Sequence, residues 1–336
     1  MVLLEKKAAA GDKLHTTGLI VKDAVEDIAW LSQVPPALVK RIEGVRLYAP
    51  DMRHIDLFAP GYYFWATDTP RLLDWMVEDV RAAGVDVRLG AMFTNAAREP
   101  SGWVVQCGAA ELRSRYLVGA DGPHSRVAKA LGLSSNTEFL FGVEHEYASA
   151  EIAPNFLHCF IDRRLAPGYI GWAFSGVSTA QAGVARRMPQ GDAAAAMPPF
   201  LRKIAPVASF PEGAPAAVRA GMIPCGGLLP RVALPGAMLV GDAAGMVSPV
   251  TAGGIHTALH HGAKVGEAVA AFLRGAAGDP AEWLVESYPR FRTKRVLRWC
   301  FDHFQADWMF NLLLATAPMR KAAELVYFHR KGGVRV

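Results

Sequence analysis

The stretch AMLVGDAAGMVSPVTAGGIHTALHHGAKVGEAVAAFL (237–273) puts an acid and a set of glycines at the joints of a strand–loop–helix unit. The apolar run Ala237–Val240 predicts a buried strand. Gly241 and Asp242 fall at its carboxyl end, where open α/β sheets bind ligands. A carboxylate at that point can accept hydrogen bonds from sugar-type hydroxyls. The chain then passes Pro249 and reaches Ala252-Gly253-Gly254, which opens a helix running to 273. Glycines at a helix start let a flat ligand approach the backbone N–H groups. The helix dipole favours negative charge there by about 0.3–1 kcal/mol. Gly262, Ala263, Gly266 and Ala270 keep one face of the helix thin. By themselves these residues also allow a plain strand–loop–helix unit with no ligand.

A second unit of this type is YLVGADGPHSRVAKALGL (116–133). Its strand ends at Gly119, Asp121-Gly122 makes a tight turn, and Ser125 precedes a helix. An Asp-Gly turn serves equally as a ligand contact or as simple punctuation. Other chemistry is missing from the pattern. His256 and His260 lie four apart on one helix but lack an HExxH pattern or a third ligand, so no metal site is expected. No serine elbow, Walker loop or Cys/His nucleophile pair occurs.

The elements that must position these residues follow from composition and periodicity. The chain has 336 residues, 51% hydrophobic and 20% charged, with a net charge of +5, which fits one large or two medium globular domains. No nucleic-acid motif is present, and a basic patch could still meet phosphates or an anionic membrane. Four cysteines, Cys107, Cys159, Cys225 and Cys300, stand apart without a CxxC pair, which predicts a reducing cytosol and no disulfide frame. No signal peptide is visible, and MFNLLLATAPM is too short to span a bilayer, so a cytoplasmic or membrane-peripheral protein is expected. Leu72, Leu73, Met76, Val77 and Val80 share one face of a predicted helix over 69–85 that stops at Gly84. Residues 139–225 read mainly as strands, and 282–330 as helical and more basic. The expected order is a dinucleotide-type domain from 1–44, 67–138 and 226–275, a β-rich substrate domain from 45–66 and 139–225, and a helical region over 276–336.

With both turn motifs in place, the chain resembles the flavoprotein superfamily of aromatic hydroxylases and geranylgeranyl reductases. The resemblance implies an FAD-dependent oxidoreductase in which Asp242 holds the ribityl chain and Gly241 and Pro249 shape its loop. Gly253, Gly254 and Ile255 would lie along the isoalloxazine edge, and Asp121 would touch the cofactor region. The reductases usually read GEGI where this chain reads AGGI. Arg71 corresponds to the arginine heading the family's helix in DTPRLLDWMVEDVRAAGV and would contact the cofactor, although a solvated or paired arginine at a helix start reads the same way. GYIGWAFSG (168–176) resembles the reductases' Tyr-x-x-Trp-x-Phe-Pro strand, with Ser175 in place of proline. It implies that Tyr169, Trp172 and Phe174 line a lipid-sized cavity, where the residues alone would serve as well as sheet core. GDKLHTTGLIV (11–21) resembles the reductases' Cys-Gly-Gly-Gly segment, with His15 at the cysteine position.

The opening MVLLEKK resembles the family's second Rossmann strand, and Glu5 its ribose-binding acid. The Gly-x-Gly-x-x-Gly turn expected about 20 residues earlier is absent from these residues, which predicts a missing first strand and helix, through a late start at Met1 in preference to a natural fragment. The implied fold is α/β, a discontinuous FAD-binding Rossmann-like domain with a β-rich substrate domain and a helical tail. The implied activity is redox chemistry on an apolar, isoprenoid-type substrate, with NAD(P)H or another reductant as donor. A flavin monooxygenase or halogenase and a non-catalytic binding homologue are the alternatives. FRTKRVLRW (291–299) sets Arg292, Lys294, Arg295 and Arg298 beside apolar residues, and so reads either as a membrane-surface segment or as a helix packed on the flavin domain.

Overall fold

The computed structural model describes residues 1–328 apart from Gln305, so 329–336 of the expected helical region lie outside the described residues. The chain divides into two compact units, each assembled from three separate segments. The first comprises 1–12, 70–138 and 224–292, and the second 13–69, 139–223 and 293 onward. The fold is mixed α/β, as the sequence predicts.

In the first unit the strands Leu117–Gly119 and Ala237–Leu239 run parallel, in the register Leu117 to Ala237. Both turn motifs therefore leave the same end of adjacent strands. Gly119 is required by this packing, because a Cβ there would lie 2.9 Å from Val127 Cγ1. Met238, Leu239, Ala243, Ala244 and Met246 form the core with Val265 and Ala268 from the helix Ile255–Leu273. Tyr288 fixes the strand from behind, its hydroxyl donating to the Leu239 carbonyl at 3.1 Å. An antiparallel meander of Phe93–Glu99, Gly102–Cys107 and Ala110–Ser114 packs Trp103 and Val105 against Ala237. The predicted helix over 69–85 forms as Thr69–Ala82. The opening strand Val2–Leu4 pairs in parallel with Asp86–Arg88, while Val2 and Leu3 remain 45% and 40% exposed.

The second unit is built on a seven-stranded sheet. Its order is Ala217–Pro224, Phe139–Tyr147, Ala180–Arg187, Gly171–Ser175, Phe156–Phe160, Gly44–Tyr48 and His54–Phe58. Residues 139–225 also contain a helix, Ala193–Ile204, where strands dominate the sequence reading. Pro198 and Pro199 lie inside it and argue against a helix locally. Burial outweighs them: Asp192 caps the first turn, and Ala196, Met197, Phe200 and Ile204 pack under the sheet against Val143, Ala173 and Val184.

The units differ from the expected domains in two places. Residues 13–44 belong with the β-rich unit, because Leu19–Val21 and Val39–Ile42 both pair with Phe64–Thr67. The expected carboxyl-terminal helical region is not separate: 276–292 falls in the first unit and 293 onward in the β-rich one. Asp51 N–H donates to Asn311 Oδ1 at 3.1 Å, and the rings of Tyr62 and Phe328 meet edge to face at 5.3 Å.

Candidate functional site

The strand Ala237–Leu239 delivers Gly241 in a left-handed conformation, φ +58°, and the chain turns through Gly241–Ala244 in one 3-10 turn. Gly245 closes that turn at φ +74°, where a Cβ would strike the Gly227 carbonyl. Asp242 is thereby half-buried with no side-chain hydrogen bond or ion pair among the described residues. Burial pushes its pKa up to about 6. The loop returns past buried Pro249 to Gly254, whose absent Cβ would lie 3.2 Å from Asp242 Oδ1 and 3.0 Å from Val247 Cγ2. No side chain caps the helix start at Gly254, and a Cβ at Gly253 would meet only Thr251 Oγ1 within 4 Å. Asp242, Gly253, Gly254 and Ile255 are thus brought together as one cradle.

Two further residues shape this cradle without being evident in the motif. Thr257 Oγ1 donates toward the Met246 and Gly254 carbonyls at 2.6 and 2.8 Å, holding the loop to the helix. Asn136 Nδ2 donates to the Pro123 and Asp242 carbonyls at 3.0 and 2.9 Å, tying the two turn motifs to each other. Asp121 itself is occupied with its own turn. Its carboxylate accepts from Ser125 Oγ at 2.5 Å and from the Arg126 and Val127 N–H groups at 2.7 and 3.1 Å. Glu5 stands at the end of the opening strand and accepts from the Lys7 N–H at 2.9 Å. Arg71 is exposed in the first turn of Thr69–Ala82. No cluster of metal-ligating side chains occurs among the described residues, and His256 and His260 belong to no such group.

In the second unit the register sets two rows across the sheet. Glu144, Gly183, Trp172 and Cys159 form one, and Glu146, Gln181 and Phe174 form the next. The Trp172 indole lies over Gly183, where a Cβ would collide with it, and its Nε1–H donates to Glu144 Oε2 at 2.6 Å. Phe174 is fully buried, and Tyr169, in the turn before the strand, is nearly so. Arg219 stands between the two acids, paired closely with Glu146 and 3.8 Å from Glu144. Burial raises the Glu144 carboxyl to about 7, outweighing the Trp172 hydrogen bond and the Arg219 charge. One guanidinium thus faces two buried carboxyls, and burial favours the neutral form of Glu144. Arg219 also donates to the Thr16 carbonyl at 2.8 Å, and His15 Nδ1–H to the Ala220 carbonyl at 2.5 Å. The segment around His15 is pinned to the sheet, with the His15 ring used as a hydrogen-bond donor to the backbone.

The model of the FAD binding domain family matches residues 9–193 and 235–299. The chain belongs to this family. It is an FAD-dependent oxidoreductase by that membership and by its relatives. Similar sequences include digeranylgeranylglycerophospholipid reductase 2 of Methanopyrus kandleri, 28% identical over 80% of this chain and 70% of that protein. Digeranylgeranylglycerophospholipid reductase 3 of Methanosphaera stadtmanae is 29% identical over 85% and 75%. The fold is similar to a geranylgeranyl bacteriochlorophyll reductase-like protein from Thermoplasma acidophilum, with a TM-score of 0.82, 16% identity, and 98% and 90% of the two chains covered. A myxobacterial chondrochloren halogenase shares the fold at a TM-score of 0.71, 16% identity, and 97% and 82% coverage.

The residues of this FAD-family chain fit the cofactor. A desolvated carboxylate without a partner is what the hydroxyls of a ribityl chain can satisfy. A helix start without a side-chain cap, opened by glycines, suits the edge of a flat ring that gains negative charge. Asn136 and Thr257 lie outside the quoted motifs, though each is a small polar residue beside one. The Glu144–Arg219 pair was hidden by its separation along the chain. The signal for it was Glu144 and Glu146 at i, i+2 in the otherwise apolar strand FLFGVEHEY, on one face of a buried sheet.

Proposed function

We propose that this protein is a reductase of isoprenoid-type lipids, in which Asp242 and the Gly253-Gly254-Ile255 edge hold the flavin and the Trp172 strand faces the substrate. The observation that carries the reading is the run of relatives named digeranylgeranylglycerophospholipid reductase, each matched over most of this chain. When bound, flavin would supply the hydride for reduction of a double bond, with solvent supplying the proton, and NAD(P)H or another donor would reload it. The chain's own residues do the rest. Asp242 accepts from the ribityl hydroxyls with Gly241 and Pro249 shaping the loop, and the dipole of Ile255–Leu273 favours the reduced ring. Glu5, Arg71 and Asp121 complete the cofactor contacts at strand and helix ends. Tyr169, Trp172 and Phe174 present an apolar wall, and Gly183 together with Glu144 fixes the plane of the Trp172 indole. The free cysteines fit a reducing cytoplasm, and no described helix is long and apolar enough to cross a membrane.

The test is anaerobic incubation of the FAD-loaded protein with a chemical reductant and a geranylgeranylated glycerophospholipid. Product masses higher by two hydrogens per reduced double bond are expected. Oxygen consumption with NAD(P)H that yields a hydroxylated product, and no hydrogenated lipid, would instead place the chain with the monooxygenases.

A further inference from the structure

The described carboxyl-terminal helices leave large apolar side chains in solvent. Trp308 is 70% exposed, Leu312 66%, Phe304 61% and Trp299 54%. They are not scattered. Trp308 lines one groove with Arg163 and Arg164, and Arg163 lines the adjoining groove with Asp302 and His303. The ring of His303 stacks on Trp299 at 4.7 Å, and Trp299 meets Phe304 edge to face at 5.6 Å. Leu312 follows Trp308 by one helical turn in Asp307–Leu313. The two groups form a strip within the second unit, joined through Arg163, which lines both grooves.

The charge beside the strip is positive. The side chains of Arg163 and Arg164 are exposed and make no ion pair among the described residues. Of the two nearby acids, one is paired with cations, and the two arginines outnumber the other. Asp302 pairs with Arg298 and, at 3.5 Å, with Arg187, while Asp307 accepts from the Arg163 N–H at 3.4 Å. Of the cations in FRTKRVLRW, Arg292 and Arg295 are exposed, Arg298 is buried and donates to the Gly168 carbonyl, and burial lowers the pKa of Lys294. Arginines from the loop at 163–164 edge the strip.

We propose that this strip, Trp299, Phe304, Trp308 and Leu312 with Arg163 and Arg164, docks on a bilayer surface containing anionic phospholipid. Exposed tryptophans beside cations match the chemistry of the headgroup layer, where the ring is half in hydrocarbon and the guanidinium meets phosphate. A second copy of the chain is the alternative occupant. The proposal rests on the lipid-reductase reading for its purpose and on the strip itself for its physics.

The test is sedimentation of the FAD-loaded full chain with phosphatidylcholine vesicles, with and without phosphatidylglycerol. Pelleting with the mixed vesicles, weakened by salt, is expected. Arg163→Gln with Arg164→Gln should lower partitioning roughly tenfold or more and remove the preference for phosphatidylglycerol. Phe304→Ser with Trp308→Ser should abolish pelleting at any salt while leaving the thermal midpoint unchanged, since both side chains are exposed. A parent chain that stays in the supernatant, or variants that pellet as it does, would overturn the proposal. So would light scattering that shows a dimer dissolved by Phe304→Ser with Trp308→Ser, which would give the strip to a second copy. Turnover of detergent-dispersed lipid separates the two readings: a chain that pellets but reduces nothing keeps the docking surface and loses the proposed activity.

Discussion

At the scale of single residues, two buried acids carry the sharpest expectations. Asp242 has its carboxyl raised to about 6 by burial without a partner. If ribityl hydroxyls donate to it, they bind the ionised form, so flavin affinity should rise with pH through about 6 and level off above. Asp242→Asn should weaken affinity at pH 8 by about 1.5–3 kcal/mol, the worth of a hydrogen bond to a charged group, and flatten the profile. Flavin fluorescence titrations across pH would show this, and equal profiles for parent and variant would remove Asp242 from the site. Glu144 makes a different prediction. Its carboxyl binds a proton more tightly folded, at about 7, than at the ordinary 4.5. Its protonation therefore favours the fold fully below pH 4.5, and that contribution fades as pH rises to about 7. The loss is on the order of 3 kcal/mol. Glu144→Gln keeps the shape and removes the charge, so it should raise the thermal midpoint at pH 8 and change little at pH 4. A midpoint lowered equally at both values would mean that the ionised Glu144–Arg219 pair holds the sheet.

At the scale of elements, what was legible in the sequence is what neighbouring residues decide. Asp242 at a strand end, the glycines before a helix and the helix at 69–85 all follow from local spacing, and each stands where its spacing puts it. The helix Ala193–Ile204 was not legible, because its two prolines argue locally against it and only the sheet above gives its apolar face a reason to form. The role of Trp172 was legible only in part. GYIGWAFSG shows an aromatic strand, but the indole's seat depends on Gly183 and Glu144, which only strand register brings alongside. This seat supplies a third prediction. Gly183→Ala forces a methyl group into the indole, so chemical denaturation should register a loss of about 1–3 kcal/mol. Trp172 fluorescence should shift as its bond to Glu144 is lost. Gly142→Ala, on the neighbouring strand Phe139–Tyr147 with open van der Waals distances of 3.6 Å or more, should do neither.

For the whole molecule, the chain crosses between its two units at 12/13, 69/70, 138/139, 223/224 and 292/293. The sequence predicts a separate helical region at the end, yet these helices complete the β-rich unit, with Phe328 on Tyr62 and Arg320 donating to the Asp56 carbonyl at 3.1 Å. A chain stopped after residue 292 should therefore lose the cooperative unfolding of that unit in calorimetry, while one merely shorn of an appendage would melt as before. The same interleaving bears on how the protein is made. The strand before Asp242 pairs with Leu117–Gly119, about 120 residues earlier, and the β-rich unit waits for segments translated after the flavin cradle. The first unit cannot close before its segment ending at residue 292 has emerged, and the second must wait longer still, so half-built sheets with open edges persist through most of translation. Yield in a cell should then track the supply of nascent-chain chaperones more closely than the stability of the finished fold.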